Sequence, residues 1–159
     1  LRKTCARAGL IMAGRAAHFV SGLELKPGFA CIKVFTVGDE HVAKHIGSGD
    51  VEVLSTPSMI AFMERVAMEC IQPFLPEGYT TVGTAVDVKH LNPASKGAEI
   101  EVIAKLVEVE GRRLKFEIEA RWGSVVVGKG AHERYIVERS KFIEKVLELA
   151  RKIGGYAAL

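Results

Sequence analysis

Ser55-Thr56-Pro57-Ser58-Met59-Ile60-Ala61-Phe62-Met63-Glu64-Arg65-Val66-Ala67-Met68-Glu69-Cys70-Ile71-Gln72-Pro73 carries apolar side chains at Met59, Ile60, Met63, Ala67, Cys70 and Ile71, the spacing of one helix face. A Ser or Thr ahead of Pro57 supplies an N-cap, followed by a residue whose fixed φ suits the first turn. Pro73 and Pro76 end the helix, and Pro76-Glu77-Gly78 reads as a turn. The spacing predicts one long apolar helix whose stripe must be covered by something else in the chain.

The cover follows at once. Thr80 to His90 alternates, which places Val82, Thr84, Val86, Val88 and His90 on one face and Asp87 and Lys89 on the other. Asn92-Pro93 breaks that run. Glu99 to Val109, Leu114 to Trp122 and Val125 to Val137 then read as strands, joined at Glu110-Gly111 and Gly123-Ser124. Upstream, Phe29 to Val37 (FACIKVFTV) is β-branched and aromatic, a further strand. Gly38 to Gly49 is a polar connector with room for a short helical turn. Ser140 to Ile153 closes with an amphipathic helix, with Phe142, Ile143, Val146, Leu147, Leu149 and Ala150 in phase. Strand, buried helix, four strands and a C-terminal helix predict an α+β domain, its antiparallel sheet wrapped around one central helix.

Charge narrows the function. The net charge of +3 is carried by residues 1 to 22, where Arg2, Lys3, Arg7 and Arg15 stand without an acid; the remainder is near −1. A near-neutral body offers no electrostatic footprint for nucleic acid. No apolar run is long enough to predict a membrane span. Residues 1 to 22 read as an N-terminal extension, either an Arg-rich targeting segment or an upstream stretch ahead of a start at Met12. Residues 23 to 159 read as one domain. Cys5, Cys31 and Cys70 are odd in number, widely spaced and without a CxxC, so spacing suggests neither a disulfide framework nor a cysteine zinc site. That pattern points to a reducing, cytoplasmic setting. One Asn and one Gln beside abundant Lys, Arg and Glu give a thermophile-like composition.

Three side chains stand out as chemistry. Glu64 has Ile60, Ala61, Ala67 and Met68 as its helical neighbours, with no Lys or Arg placed to pair along the helix. A carboxylate there is either a solvated residue at the margin of the stripe or a base or nucleophile at a site. His90, at the end of its strand's apolar face, is either a satisfied strand-end residue or a proton carrier. Thr56 is a helix cap, and also a hydroxyl at a helix N-terminus, where a carbonyl or oxyanion is stabilised. His41 and His45 are four apart, but no third metal ligand is evident and the segment reads as a surface loop. GxxxxGK[ST] and GxSxG motifs are absent.

The order of Ser55 to Glu64, Val82 to His90 (VGTAVDVKH), Val109 to Leu114 (VEGRRL) and Gly130 to Arg134 (GAHER) resembles the fluoroacetyl-CoA thioesterase-like family of hotdog proteins, from about Phe29 to Lys145. The resemblance implies a hotdog fold that hydrolyses a small acyl-CoA to free acid and CoA. It implies catalytic roles for Thr56, Glu64 and His90, with Gly83 lying against the acyl group. No metal or other cofactor is implied, CoA being part of the substrate. A homodimer or larger assembly is implied, with sites at the subunit interface. Arg112 and Arg113, beside a turn, are the leading candidates to bind the CoA phosphates. The family's fluoroacetate-selective pattern has an aromatic residue six positions before the Thr; here that position is Asp50, which argues against fluoroacetyl selectivity. Two alternatives remain at this level: a non-catalytic acyl-CoA-binding hotdog module, and a hotdog hydratase of enoyl thioesters, which would want an Asp/His pair.

Overall fold

The computed structural model describes residues 25–154, so the proposed extension at residues 1 to 22 lies outside the described residues. Five antiparallel strands form one sheet: β1 (Ala30–Thr36), β2 (Tyr79–His90), β3 (Glu99–Glu110), β4 (Arg113–Trp122) and β5 (Val125–Glu138). Their spatial order is β1-β3-β4-β5-β2, which leaves β1 and β2 at the edges. Two short turns of helix, Asp39–His41 and α1 (Ala43–Ile46), occupy the polar connector. The central helix α2 spans Thr56–Ile71, and α3 spans Arg139–Lys152.

α2 lies on the inner face of the sheet. Met59, Phe62, Met63, Val66, Ala67, Cys70 and Ile71 are buried. They meet Ile100, Val102, Ala104 and Leu106 of β3 and Leu114, Phe116, Ile118 and Ala120 of β4, alternate residues of each strand, in one core. Full burial contributes on the order of 1.5–3 kcal/mol for each large apolar side chain, so this stripe seats the helix firmly. Phe35 of β1 stacks on Phe62 with ring centroids 4.4 Å apart. Gly128 gives Met59 room, since a Cβ there would come within 2.4 Å of its sulfur. α3 differs: none of its residues is buried, and Phe142, Ile143 and Leu149 stay substantially exposed.

Two expectations need correction. The first is the phase of β2. Its pairing with β5 runs Gly83↔Arg134 and then Ala85↔Glu133, leaving Thr84 as a bulge. One extra residue reverses the alternation of side chains. Thr81 is therefore buried opposite Ile136, while Val82 lies opposite the exposed Tyr135 on the outer face. Val82 and Thr84 do not continue the face of Val86, Val88 and His90. The second concerns the cysteines. Cys31 and Cys70 form a disulfide, with Cα atoms 5.8 Å apart and a sequence separation of 39. β1 is antiparallel to β3 and its inner face meets the last turn of α2, so chain distance was no measure of spatial distance.

Candidate active site

The site begins with two adjacent hydroxyls that have different tasks. Ser55 is the N-cap of α2, and its Oγ accepts from the Ser58 amide at 3.1 Å. Thr56 is then the first helical residue, and its hydroxyl is released from capping. It meets Nδ1 of His90 at 2.8 Å. The backbone stitches this end together: Leu54 N–H donates to Ala94 O at 2.8 Å, joining the chain just before Thr56 to the chain just after His90. Burial holds the His90 imidazolium below its ordinary pKa, and the Asn92 backbone opposes that shift. Its Nε2 is buried and has no hydrogen-bond partner among the described residues.

Glu64 lies elsewhere on the same helix. Eight residues of helix separate it from Thr56, about 12 Å. Its side chain is 40% exposed, at the margin of the stripe. Ile60 and Met68 beside it are only half-buried and Ala61 is exposed. The carboxylate rests over Gly83, where an added Cβ would come within 2.6 Å of Oε1. Only glycine permits that approach. Thus one chain brings Thr56 to His90 and Glu64 to Gly83, but leaves the two pairs a helix segment apart.

Two residues that sequence reading did not place at the site, His132 and Arg134, surround the second pair. His132 is fully buried on β5, with Nδ1 2.8 Å from Ala85 O and Nε2 3.2 Å from Arg134 Nη1. Arg134 also donates from Nε to Thr81 Oγ1 and from Nη2 to Thr81 O, both at 2.8 Å. Glu64 Oε1 is 4.0 Å from His132 Nε2. Burial is the main influence lowering the pKa of His132; Arg134 adds to it, while the Ala85 carbonyl, Glu64 and Glu133 oppose it. Desolvation also lowers the pKa of Arg134, and Glu64 opposes that shift. A signal existed in the sequence: His132 and Arg134 share alternation phase with the apolar Ile136, which marks a polar pair on the buried face.

The candidate phosphate ligands differ in availability. Arg113 is held by Glu108 at 3.0 Å, Glu133 at 3.3 Å and Glu110 at 3.4 Å. Arg112 is half-buried at the β3–β4 turn, close enough to Glu138 and Lys141 to influence both. In the connector, His41 Nδ1 accepts from the Gly38 amide at 2.9 Å, and its ring edge meets Phe62. No group of three or more His, Cys, Asp or Glu among the described residues is arranged to hold a metal. Asp50 is exposed in the segment between α1 and α2.

The chain and its fold are similar to known thioesterases. Residues 37–140 match the model of a family described as fluoroacetyl-CoA-specific thioesterase. A fluoroacetyl-CoA thioesterase from Streptantibioticus cattleyicolor is 37% identical over 95 residues, 60% of this chain and 68% of that protein. The solved structure of the fluoroacetyl-CoA thioesterase FlK superposes with a TM-score of 0.75 at 30% identity, covering 79% of this chain and 97% of that one. A hypothetical Thermus thermophilus protein of the thioesterase superfamily gives 0.76 at 26% identity, covering 82% and 97%. With about two thirds of the chain matched by the family and its sheet wrapped on one helix, the chain belongs to the fluoroacetyl-CoA-specific thioesterase family of hotdog proteins and is a thioester hydrolase.

Proposed function

We propose that this hydrolase cleaves small acyl-CoA thioesters, with Thr56, Glu64 and His90 forming its active site and no metal taking part. The observation that carries this reading is the Thr56–His90 hydrogen bond at the start of α2, made possible by Ser55 taking the cap. The thioester carbonyl sits at that helix end, polarised by its amides and the Thr56 hydroxyl. Glu64 either attacks the carbonyl carbon, expelling the CoA thiolate and leaving an anhydride that water opens, or takes a proton from an attacking water. His90 orients the hydroxyl or relays the proton to the leaving sulfur. Gly83 lies against the acyl group. Arg112 is better placed than the thrice-paired Arg113 to hold a CoA phosphate.

The separation of Glu64 from the Thr56–His90 pair supports a homodimer whose sites span two chains. β2 is an edge strand, and Gly83 to Asp87, in its middle, are all exposed. Such an edge is ready to pair with its own copy about a two-fold axis. Glu64 of one chain then completes the Thr56–His90 pair of the other. A hydratase reading is less well supported, because Thr56 holds His90 Nδ1 and Asp87 lies on the opposite face of β2. No helix among the described residues is long and apolar enough to cross a membrane. The cytoplasmic setting expected from the sequence is compatible with the Cys31–Cys70 disulfide if the cell is a thermophile of the disulfide-rich kind, which the composition favours.

A panel of acyl-CoAs tests the reading. Free thiol is expected from acetyl-CoA and similar short esters, at a rate unchanged by a chelator. With Asp50 at the gate position, fluoroacetyl-CoA is expected to gain no more than on the order of tenfold in kcat/KM over acetyl-CoA, about 1.4 kcal/mol. Absence of thiol with tight acyl-CoA binding would instead indicate a binding module. Restoration of chelated enzyme by zinc would overturn the metal-free mechanism.

A further inference from the structure

We propose that His132 is a positioning residue for the hydrolysis: protonated on Nδ1 and neutral, it pins the β2 bulge so that Gly83 is held beneath the Glu64 carboxylate. The inference rests on the assignment of Glu64 to the reaction. The geometry fixes the tautomer. Nε2 faces a guanidinium N–H of Arg134, which can only donate, so Nε2 accepts. Nδ1 faces the Ala85 carbonyl, which can only accept, so Nδ1 carries the proton.

The consequence follows from where those bonds fall. Thr84 has no partner in the β2–β5 register, so the ladder is interrupted beside Gly83. The Thr81 carbonyl on one side is held by Arg134 and the Ala85 carbonyl on the other by His132. Both clamps come from β5 side chains, and the Arg134–His132 bond couples them. A bulge is free to shift where the ladder no longer holds it. Here it is fastened at both ends, and the backbone it fastens is the one in contact with Glu64. An imidazole built at Nδ1 and Nε2 spans the gap between carbonyl and guanidinium. A side chain that met only one of them would leave the other buried and unsatisfied.

Two amide variants separate positioning from packing. Asn places its N–H₂ near the place of Nδ1 and keeps the bond to Ala85; Gln reaches the place of Nε2 and keeps the bond to Arg134. His132→Gln is expected to lower kcat on the order of 10²-fold with KM within a few-fold, the scale of a small misplacement of reacting groups. His132→Asn is expected to recover most of that loss. Hydrogen exchange of the peptide containing residues 81–85 gives a readout independent of activity: exchange accelerates in the Gln variant and stays near wild type in the Asn variant. Equal losses of rate and melting temperature in both would mark His132 as packing only and overturn the proposal, as would a Gln variant with wild-type kcat. If the wild-type protein releases no thiol from any acyl-CoA, the assigned reaction fails, and the exchange data alone then decide whether His132 pins the bulge.

Discussion

Glu64→Gln is expected to lower kcat for thiol release by on the order of 10²-fold or more while leaving the protein folded. Gln keeps the size and hydrogen-bonding reach of Glu but is neither a base nor a carboxylate nucleophile. The side chain is 40% exposed and stands 4.0 Å from His132 Nε2, beyond hydrogen-bonding range, so the fold loses no hydrogen bond with its charge, only part of the field that favours the buried Arg134 cation. Stability should change by no more than about 0.5 kcal/mol, as for a surface substitution. Calorimetry beside a thiol assay reads both quantities. Wild-type kcat in the Gln variant would refute the mechanism whatever the fold. The same variant tests the architecture of the site. With the proposed two-chain site, refolding it together with Thr56→Ala should restore activity, because a mixed dimer would pair the intact Glu64 of one chain with the intact Thr56 and His90 of the other. Random pairing gives roughly a quarter of wild-type activity, one good site in half of the dimers. If each site is built from one chain, the mixture stays inactive.

Reduction of Cys31–Cys70 is expected to lower the melting temperature by about 10 °C. The bond closes a loop across 39 residues of sequence, and the chain-entropy account assigns about 4 kcal/mol to a loop of that size. For a chain of this length each kcal/mol moves the midpoint by about 2–4 °C. The bond ties edge strand β1 to the final turn of α2, next to the Lys33–Glu69 ion pair at 2.6 Å. The paired melting curves need only a reductant, so no cavity or buried hydroxyl from a substitution complicates them. Thiol titration of the unfolded, unreduced protein should find no thiol at Cys31 or Cys70. A reduced protein melting within a degree or two of the oxidised one would show that the core and the ion pair already hold β1 to the helix.

The elements of the fold were legible because each is written in periodicity. The 3.6-residue stripe of α2 and the two-residue alternation of β3, β4 and β5 are properties of neighbouring residues, and their predicted ends fall within one or two residues of the observed ones. The misreadings all involve information that is not local. Nothing around Thr84 announces that alternation reverses there; Gly83 was a hint only of close approach. The Cys31–Cys70 pairing depends on which strand covers the end of α2. Thr56 and His90 were named from their chemistry, yet their mutual hydrogen bond could not be read, because Ser55 and Thr56 are equally good caps on paper. The pair His132 and Arg134 showed in the alternation of β5 and in a family motif, but their clamp on β2 did not, since its partners Thr81 and Ala85 lie on another strand.

The assignment of the cap to Ser55 also sets how the helix start would fail. A capping hydroxyl is worth about 1 kcal/mol, and the Thr56–His90 hydrogen bond is of similar size, about 0.5–1.5 kcal/mol. Remove the Ser55 hydroxyl, as in Ser55→Ala, and the helix can recover its cap by unwinding one residue and recruiting Thr56. Two bonds of comparable strength would then compete for one oxygen. The outcome is a partition between two populations, one with a secured helix and an idle imidazole, the other with a frayed helix and a working pair. Activity at this end of the molecule would decline by a few-fold, in proportion to occupancy, with the turnover of each competent molecule unchanged. Single-turnover kinetics would register it as a reduced reacting fraction if the exchange is slow, or as a uniformly lowered rate if it is fast. Ser55, buried beneath the helix start, therefore acts as the counterweight that keeps Thr56 available.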